Sequence, residues 1–168
     1  MEHAPYDRYP VWIVIVSNAL GLGIWAIGAG ILSGFGILWS LLYLAYCVWI
    51  EFRVLRSSCV NCHYYGGVCA FGKGLLCALL FKKGDPGNFA SHQISWKDLV
   101  PDFMVSLIPL AGGIVLLIRQ FSWPLMFMLG LLLLLSSWGN AFVRGRLACS
   151  HCRQLEIGCP AAKLFAVK

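Results

Sequence analysis

The sequence predicts an all-α integral membrane protein: four transmembrane helices as two parallel-repeat helical hairpins, with cysteine turns joined at the cytoplasmic face. Three observations carry this. Of 168 residues, 60% are hydrophobic and only 12% charged, whereas soluble domains carry about 25% charged residues. The apolar residues fall into four runs suited to a bilayer core of roughly 30 Å, which about 20 helical residues cross. The pattern C-x2-C-x6-C follows the second run and returns after the fourth.

The first run, Val11 to Leu32, has no charge. A cleaved signal peptide competes for it, but the run exceeds a typical h-region, and Arg8 is offset by Glu2 and Asp7. Ala19, Gly23, Ala26 and Gly30 make one small-residue face along this helix, where another backbone can approach closely. The second run spans about Gly36 to Ile50, ahead of Glu51 and Arg53. The third, about Phe103 to Ile118, is short and contains Pro109; the fourth, about Pro124 to Val143, includes Leu131 to Leu135. Ser33–Gly34 and Arg119–Ser122 are the only breaks within each pair. Connections this short make antiparallel neighbours, hence two hairpins. Gly74 to Phe81, stopped by Lys82-Lys83-Gly-Asp-Pro-Gly, reads as a short apolar helix lying in the membrane interface.

Cys59-Val-Asn-Cys62 with Cys69 and Cys149-Ser-His-Cys152 with Cys159 are displaced by 90 positions. The flanks keep the register: Phe52 with Phe142, Arg56 with Arg146, Lys73 with Lys163. Duplication of a hairpin-plus-turn unit accounts for this, with repeat 1 at 1–90 and repeat 2 at 91–168 in one membrane domain. Each unit crosses an even number of times, so the repeat is parallel and both cysteine turns face one side.

All of the 13 basic residues except Arg119 fall on the side that holds the termini and the central segment. The positive-inside rule makes that side cytoplasmic, and Trp12, Trp49, Trp123 and Trp138 stand near the span ends as aromatic anchors. The expected location is a prokaryotic plasma membrane with both termini cytoplasmic. The net charge of +6 reads as a topology signal and as attraction to anionic lipid headgroups. No nucleic-acid partner is expected. Arg53, Arg56, Lys73, Arg144, Arg146 and Lys163 make up the expected face for lipid or a protein partner.

Thiols in the cytoplasm stay reduced, so the cysteines are read as metal ligands rather than disulfides. The expected ligands are Cys59, Cys62, Cys69, Cys149, Cys152 and Cys159, with His63 and His151 as additional candidates. The doubled C-x2-C-x6-C resembles the binuclear zinc cluster of fungal transcription factors, in which two zincs share six cysteines. The resemblance covers the cysteine turns alone and implies that Cys59 and Cys149 bridge the metals. Three other arrangements stay open. One zinc takes Cys59, Cys62, Cys149 and Cys152; two zincs each take three cysteines and a histidine; or four thiolates hold an iron–sulfur cluster. Cys47 and Cys77 have no counterpart in the other repeat and read as packed thiols.

Gly67-Val-Cys-Ala-Phe-Gly72-Lys73-Gly74 looks like a phosphate loop, but Gly74 stands where the motif needs Ser or Thr and no strand precedes it. The membrane interior offers Asn18, Ser106, Ser136, Ser137 and Asn140 and no carboxylate, lysine or histidine near a helix centre. That counts against a proton-coupled carrier, and the two asparagines read as interhelical hydrogen-bond partners. No nucleophile–base spacing identifies an enzyme. The expected function is a binding or assembly subunit with a structural zinc centre of one or two ions. The alternatives are a redox protein passing electrons from an iron–sulfur centre to a quinone, and soft-metal handling or transport.

Overall fold

The computed structural model describes residues 5–85, 87, 89 and 96–159. The described residues are helical and contain no strand. Helix α1 is Val11–Leu32, a 3-10 turn Ser33–Phe35 follows, and α2 is Ile37–Ser57. Helix α3, Lys73–Leu80, is short; α4 is Trp96–Arg119 and α5 is Trp123–Leu134. The chain then continues through a π-helical stretch Leu135–Gly139, α6 Asn140–Phe142, a second π-helical stretch Val143–Ala148, a 3-10 turn Cys149–His151 and α7 Gln154–Ile157.

Four described helical stretches are long and apolar enough to cross a membrane: Val11–Phe35, Ile37–Asn61, Asp98–Arg119 and Trp123–His151. Each displays large apolar side chains outward, among them Leu22, Leu41, Ile118 and Phe127, with Ile118 81% exposed. A soluble monomer does not tolerate apolar faces of this extent; hydrocarbon does.

α1 matches the expected run and α2 and α4 outgrow theirs, whereas α5 ends at Leu134 inside the expected fourth run, which π-helical and α-helical turns then continue. α2 continues past Ile50 through Glu51, Arg53 and Arg56 to Ser57. Nothing in that segment breaks a helix, and a basic residue in the last turn suits the negative end of the helix dipole. α4 begins at Trp96 and accommodates both Pro101 and Pro109. α5 opens with Pro124 in its first turn, where a missing N–H costs nothing.

The chain divides into two compact units. One consists of Ala19–Glu51 and Trp96–Ala141. Its apolar core gathers Ile24, Ile31, Leu129 and Leu132, with a second cluster of Leu32, Tyr43 and Cys47. The small face of α1 is used there: a Cβ on Gly30 would meet the Met128 side chain at 2.8 Å. Pro109, fully buried in α4, cannot donate to Val105 O four residues back. The Tyr43 hydroxyl donates to that carbonyl at 2.8 Å, and Tyr46 donates likewise to Pro101 O at 2.8 Å. These bonds matter because lipid offers no water to satisfy a freed carbonyl. Asn140 donates to Ser136 O within its own helical stretch at 3.2 Å, rather than to a neighbouring helix.

The other unit consists of Met1–Asn18, Phe52–Ser95 and Phe142–Lys168, so far as these are described. It contains all six cysteines of the doubled pattern. Its core is Tyr9, Ile13, Tyr64, Ala70 and Ala148.

Candidate functional site

Each C-x2-C forms the same backbone turn. Cys59–Asn61 and Cys149–His151 are 3-10 helical, and the N–H of Cys62 returns to Cys59 O at 3.3 Å as that of Cys152 returns to Cys149 O at 3.2 Å. The next bond repeats too: Tyr65 N–H to Cys62 O at 3.1 Å, Leu155 N–H to Cys152 O at 3.0 Å. The approach differs, because α2 stays α-helical to Ser57 while the second turn is entered from the π-helical stretch Val143–Ala148.

One residue past the second cysteine, the two turns exchange hydrogen bonds. His63 N–H donates to Gln154 Oε1 at 2.8 Å, and Arg153 N–H donates to Tyr64 Oη at 3.1 Å. The offset that relates the cysteines pairs His63 with Arg153 and Tyr64 with Gln154, so the two bonds are counterparts. Gln154 is 2% exposed, and its Nε2 donates onward to Gly158 O at 3.1 Å.

The segment Tyr6–Tyr9 joins both turns. Tyr6 N–H donates to His151 O at 3.0 Å, forming an isolated parallel bridge between Tyr6 and Cys152. Tyr9 N–H donates to Val68 O at 3.2 Å, while its hydroxyl donates to Ala148 O at 2.5 Å. The Tyr64 hydroxyl donates to Tyr6 O at 2.5 Å. The Tyr6 ring stacks on His151 at 4.7 Å, and Asp7 pairs with Arg153. Sequence reasoning missed Tyr6, Tyr9, Tyr64 and Gln154. The only signal available was a pair of tyrosines three residues apart, close to the first helix.

The loop from Cys69 into α3 is built by glycine. Gly72 has φ of +68°, and a Cβ on buried Gly74 would fall 2.1 Å from Tyr64 O. Helix α3 can therefore lie directly against the Tyr64–Gly67 backbone, where Gly66 N–H reaches Gly74 O at 3.0 Å. Asn18 donates to Phe71 O at 3.2 Å, fixing the loop to α1. The phosphate-loop resemblance is thus a turn that carries Cys69.

All eight cysteines are free thiols. Cys47 and Cys77 are fully buried, Cys77 Sγ lying 3.6 Å from Leu55 O, in keeping with packing roles. The six patterned cysteines are half-buried. Cys59 interacts electrostatically with Cys62, Cys69, Cys77 and Lys73, and Cys149 with Cys159 and Arg144. Cys62 feels the charges of Cys69 and Cys159, and Cys152 those of Cys62, Cys149 and Cys159. Burial pushes the Cys152 thiol up to about 11 against an opposing bond from the Gln154 N–H, and the neighbouring thiols add to the rise. Burial raises Cys62 in the same way, and it also raises the Tyr64 and Tyr9 phenols. Burial of this kind favours the neutral form of the Cys62 and Cys152 thiols.

Among the described residues, no group of three or more histidine, cysteine, aspartate or glutamate side chains is arranged to hold a metal ion as they stand. His63 is exposed, its ring edge-on to Tyr64. His151 Nδ1 lies 2.9 Å from Ser150 Oγ. Of the expected basic face, Arg56, Arg144 and Arg146 are exposed and Arg53 and Lys73 are half-buried. Lys73 and Arg144 meet at the Phe71 ring, 5.8 and 5.6 Å from its centroid. Lys163 lies outside the described residues. Comparison of the chain with protein-family models, with curated proteins and with solved structures finds no match.

Proposed function

We propose that this membrane protein carries a thiolate-coordinated metal centre, structural zinc of one or two ions, that ties its two cysteine turns together. The reading makes the chain a duplicated hairpin-plus-turn unit with both turns on the cytoplasmic face. The observation that carries it is the exchange of hydrogen bonds between the turns, His63 N–H to Gln154 and Arg153 N–H to Tyr64. It brings into one unit thiols that the sequence separates by an entire helical hairpin. Six thiols of one reactivity class, gathered on matching turns, are the donor set that zinc selects. The thiols are not grouped around an ion as they stand, so metal capture requires them to move.

A tie of this kind has a physical use. Helices in lipid gain little from hydrophobic association, so hairpins attach weakly to one another. A shared metal fixes their ends and presents a defined cytoplasmic surface edged by Arg56, Arg144 and Arg146. That surface suits anionic lipid headgroups or an acidic protein partner, which makes the protein a binding or assembly subunit. The test is stability: serine at Cys59 and Cys149, or addition of a zinc chelator, lowers the thermal unfolding midpoint in detergent. An unchanged midpoint in both cases removes the structural role.

A further inference from the structure

Helix α3 buries Gly74 and Cys77 and turns its leucines outward. Leu75, Leu76, Leu79 and Leu80 are all exposed, Leu79 by 83%. Two contacts with α2 set their depth. Cys77 Sγ meets Leu55 O at 3.6 Å, and beyond it the Phe81 ring packs edge-on against Phe52, the centroids 6.1 Å apart. Later residues of α3 thus meet earlier residues of α2, so α3 turns back toward the stretch Ile37–Asn61, which is long and apolar enough to cross a membrane. Tyr65 holds that end by donating its hydroxyl to Phe81 O at 2.7 Å. Phe52 directly follows Glu51, the first charge of α2, and Leu55 stands one helical turn beyond it, about 6 Å along the axis. The headgroup layer on each side of a bilayer is about 5–7 Å thick. Cys77 therefore stands at headgroup level, and the end of α3 reaches the hydrocarbon boundary.

The chain leaves α3 through Lys82 and Lys83, both exposed, before Gly84 N–H returns to Val60 O at 2.9 Å. Asp85, the acid nearest in sequence, accepts from Gly87 N–H at 2.9 Å and so closes its own turn. Two cations thus directly follow a leucine face at lipid depth, the composition of a segment that binds an anionic bilayer surface. We propose that α3 docks into the bilayer on the side where α2 ends, its leucines among acyl chains and Lys82 and Lys83 on the phosphates of anionic phospholipid. Gly74 lies against the Tyr64–Gly67 backbone, so the docked helix also holds the loop of Cys69 at the membrane surface. This docking is independent of any metal on the cysteines.

The test replaces Leu79, and separately Leu75, with the photoreactive residue p-benzoylphenylalanine in full-length protein. Each variant is reconstituted in vesicles of phosphatidylcholine and phosphatidylglycerol in equal parts, irradiated, and read by intact mass. Both positions are exposed, so neither substitution disturbs packing. The probe at Leu79 should form phospholipid adducts, and in higher yield than the probe at Leu75, which lies farther from the hydrocarbon. Phosphatidylglycerol should be enriched among the adducts by about fivefold for each lysine engaged. K82Q/K83Q should return the adducts to the composition of the bilayer. Absence of phospholipid adducts from both probes would overturn the docking, and a higher yield at Leu75 would overturn the return of α3 toward the span. Adducts between two copies of the chain would assign the leucine face to self-association instead. Phospholipid adducts already at bilayer composition with Lys82 and Lys83 in place would overturn the headgroup assignment.

Discussion

The backbone N–H of His63 donates to the buried side chain of Gln154 at 2.8 Å across 91 positions of sequence. Its counterpart, from Arg153 to Tyr64 Oη, runs the other way. Each side-chain oxygen thus serves a donor on the opposite turn, and each turn holds the other in place.

Gln154→Ala should therefore lower stability by about 1–3 kcal/mol, the range for stranding a buried donor. Tyr64→Phe should cost a similar amount, since it removes an acceptor for Arg153 N–H and a donor to Tyr6 O. The two changes act on one linkage, so the double variant should be less destabilised than the sum, with coupling of at least about 0.5 kcal/mol. Unfolding of the four proteins in one detergent checks this, and strict additivity would contradict the linkage.

Gly74→Ala places a methyl 2.1 Å from Tyr64 O, which only backbone movement can relieve. A loss of about 1–3 kcal/mol or more is expected, and α3 should detach from the turn that carries Cys69. Gly21→Ala, whose Cβ meets nothing within 4 Å, should keep full stability. Thermal melts of the two variants side by side make the comparison.

How much of this was legible in the sequence depends on the residue. Val11–Leu32 could be read directly, because an uncharged apolar run of this length exceeds a typical signal-peptide h-region and fits a full crossing. The end of α2 could not: Glu51, Arg53 and Arg56 look like loop composition, yet nothing there breaks a helix. The register of the cysteines was legible, whereas the π-helical entry to Cys149 was not, since hydrogen bonding within a helix leaves no mark on composition. Tyr6, Tyr9 and Gln154 are unremarkable residue types whose roles arise from tertiary placement alone. Asn18 was read as an interhelical partner and instead reaches the Phe71 carbonyl of the cysteine loop.

Stability should depend on pH in opposite senses with and without metal. In stripped protein, burial holds Cys62 above its ordinary value and Cys152 at about 11. Folding then favours the neutral thiols: their contribution is complete below the unfolded thiol value near 8.5 and is lost as pH rises through about 11. Stripped protein should weaken over that window. Metal-loaded protein, whose thiolates are already deprotonated, should not weaken there and should lose its metal on acidification. Unfolding midpoints against pH with and without chelator distinguish the two curves.

Alkylation should separate the cysteines into two classes. Cys47 and Cys77, both 0% exposed, should stay unmodified in folded protein whether or not metal is present. The six patterned cysteines should be protected in protein as purified and react once a chelator is added. Intact mass should rise by six adducts on chelation; reaction of all six before it would mean that no metal covers them.

The most direct test is elemental analysis of protein purified without oxygen and without a metal-affinity tag, with its absorption spectrum recorded alongside. The account predicts one or two zinc ions per chain and no visible colour. Protein free of metal would contradict it, and iron with visible absorption that bleaches on reduction would make the centre a redox site instead.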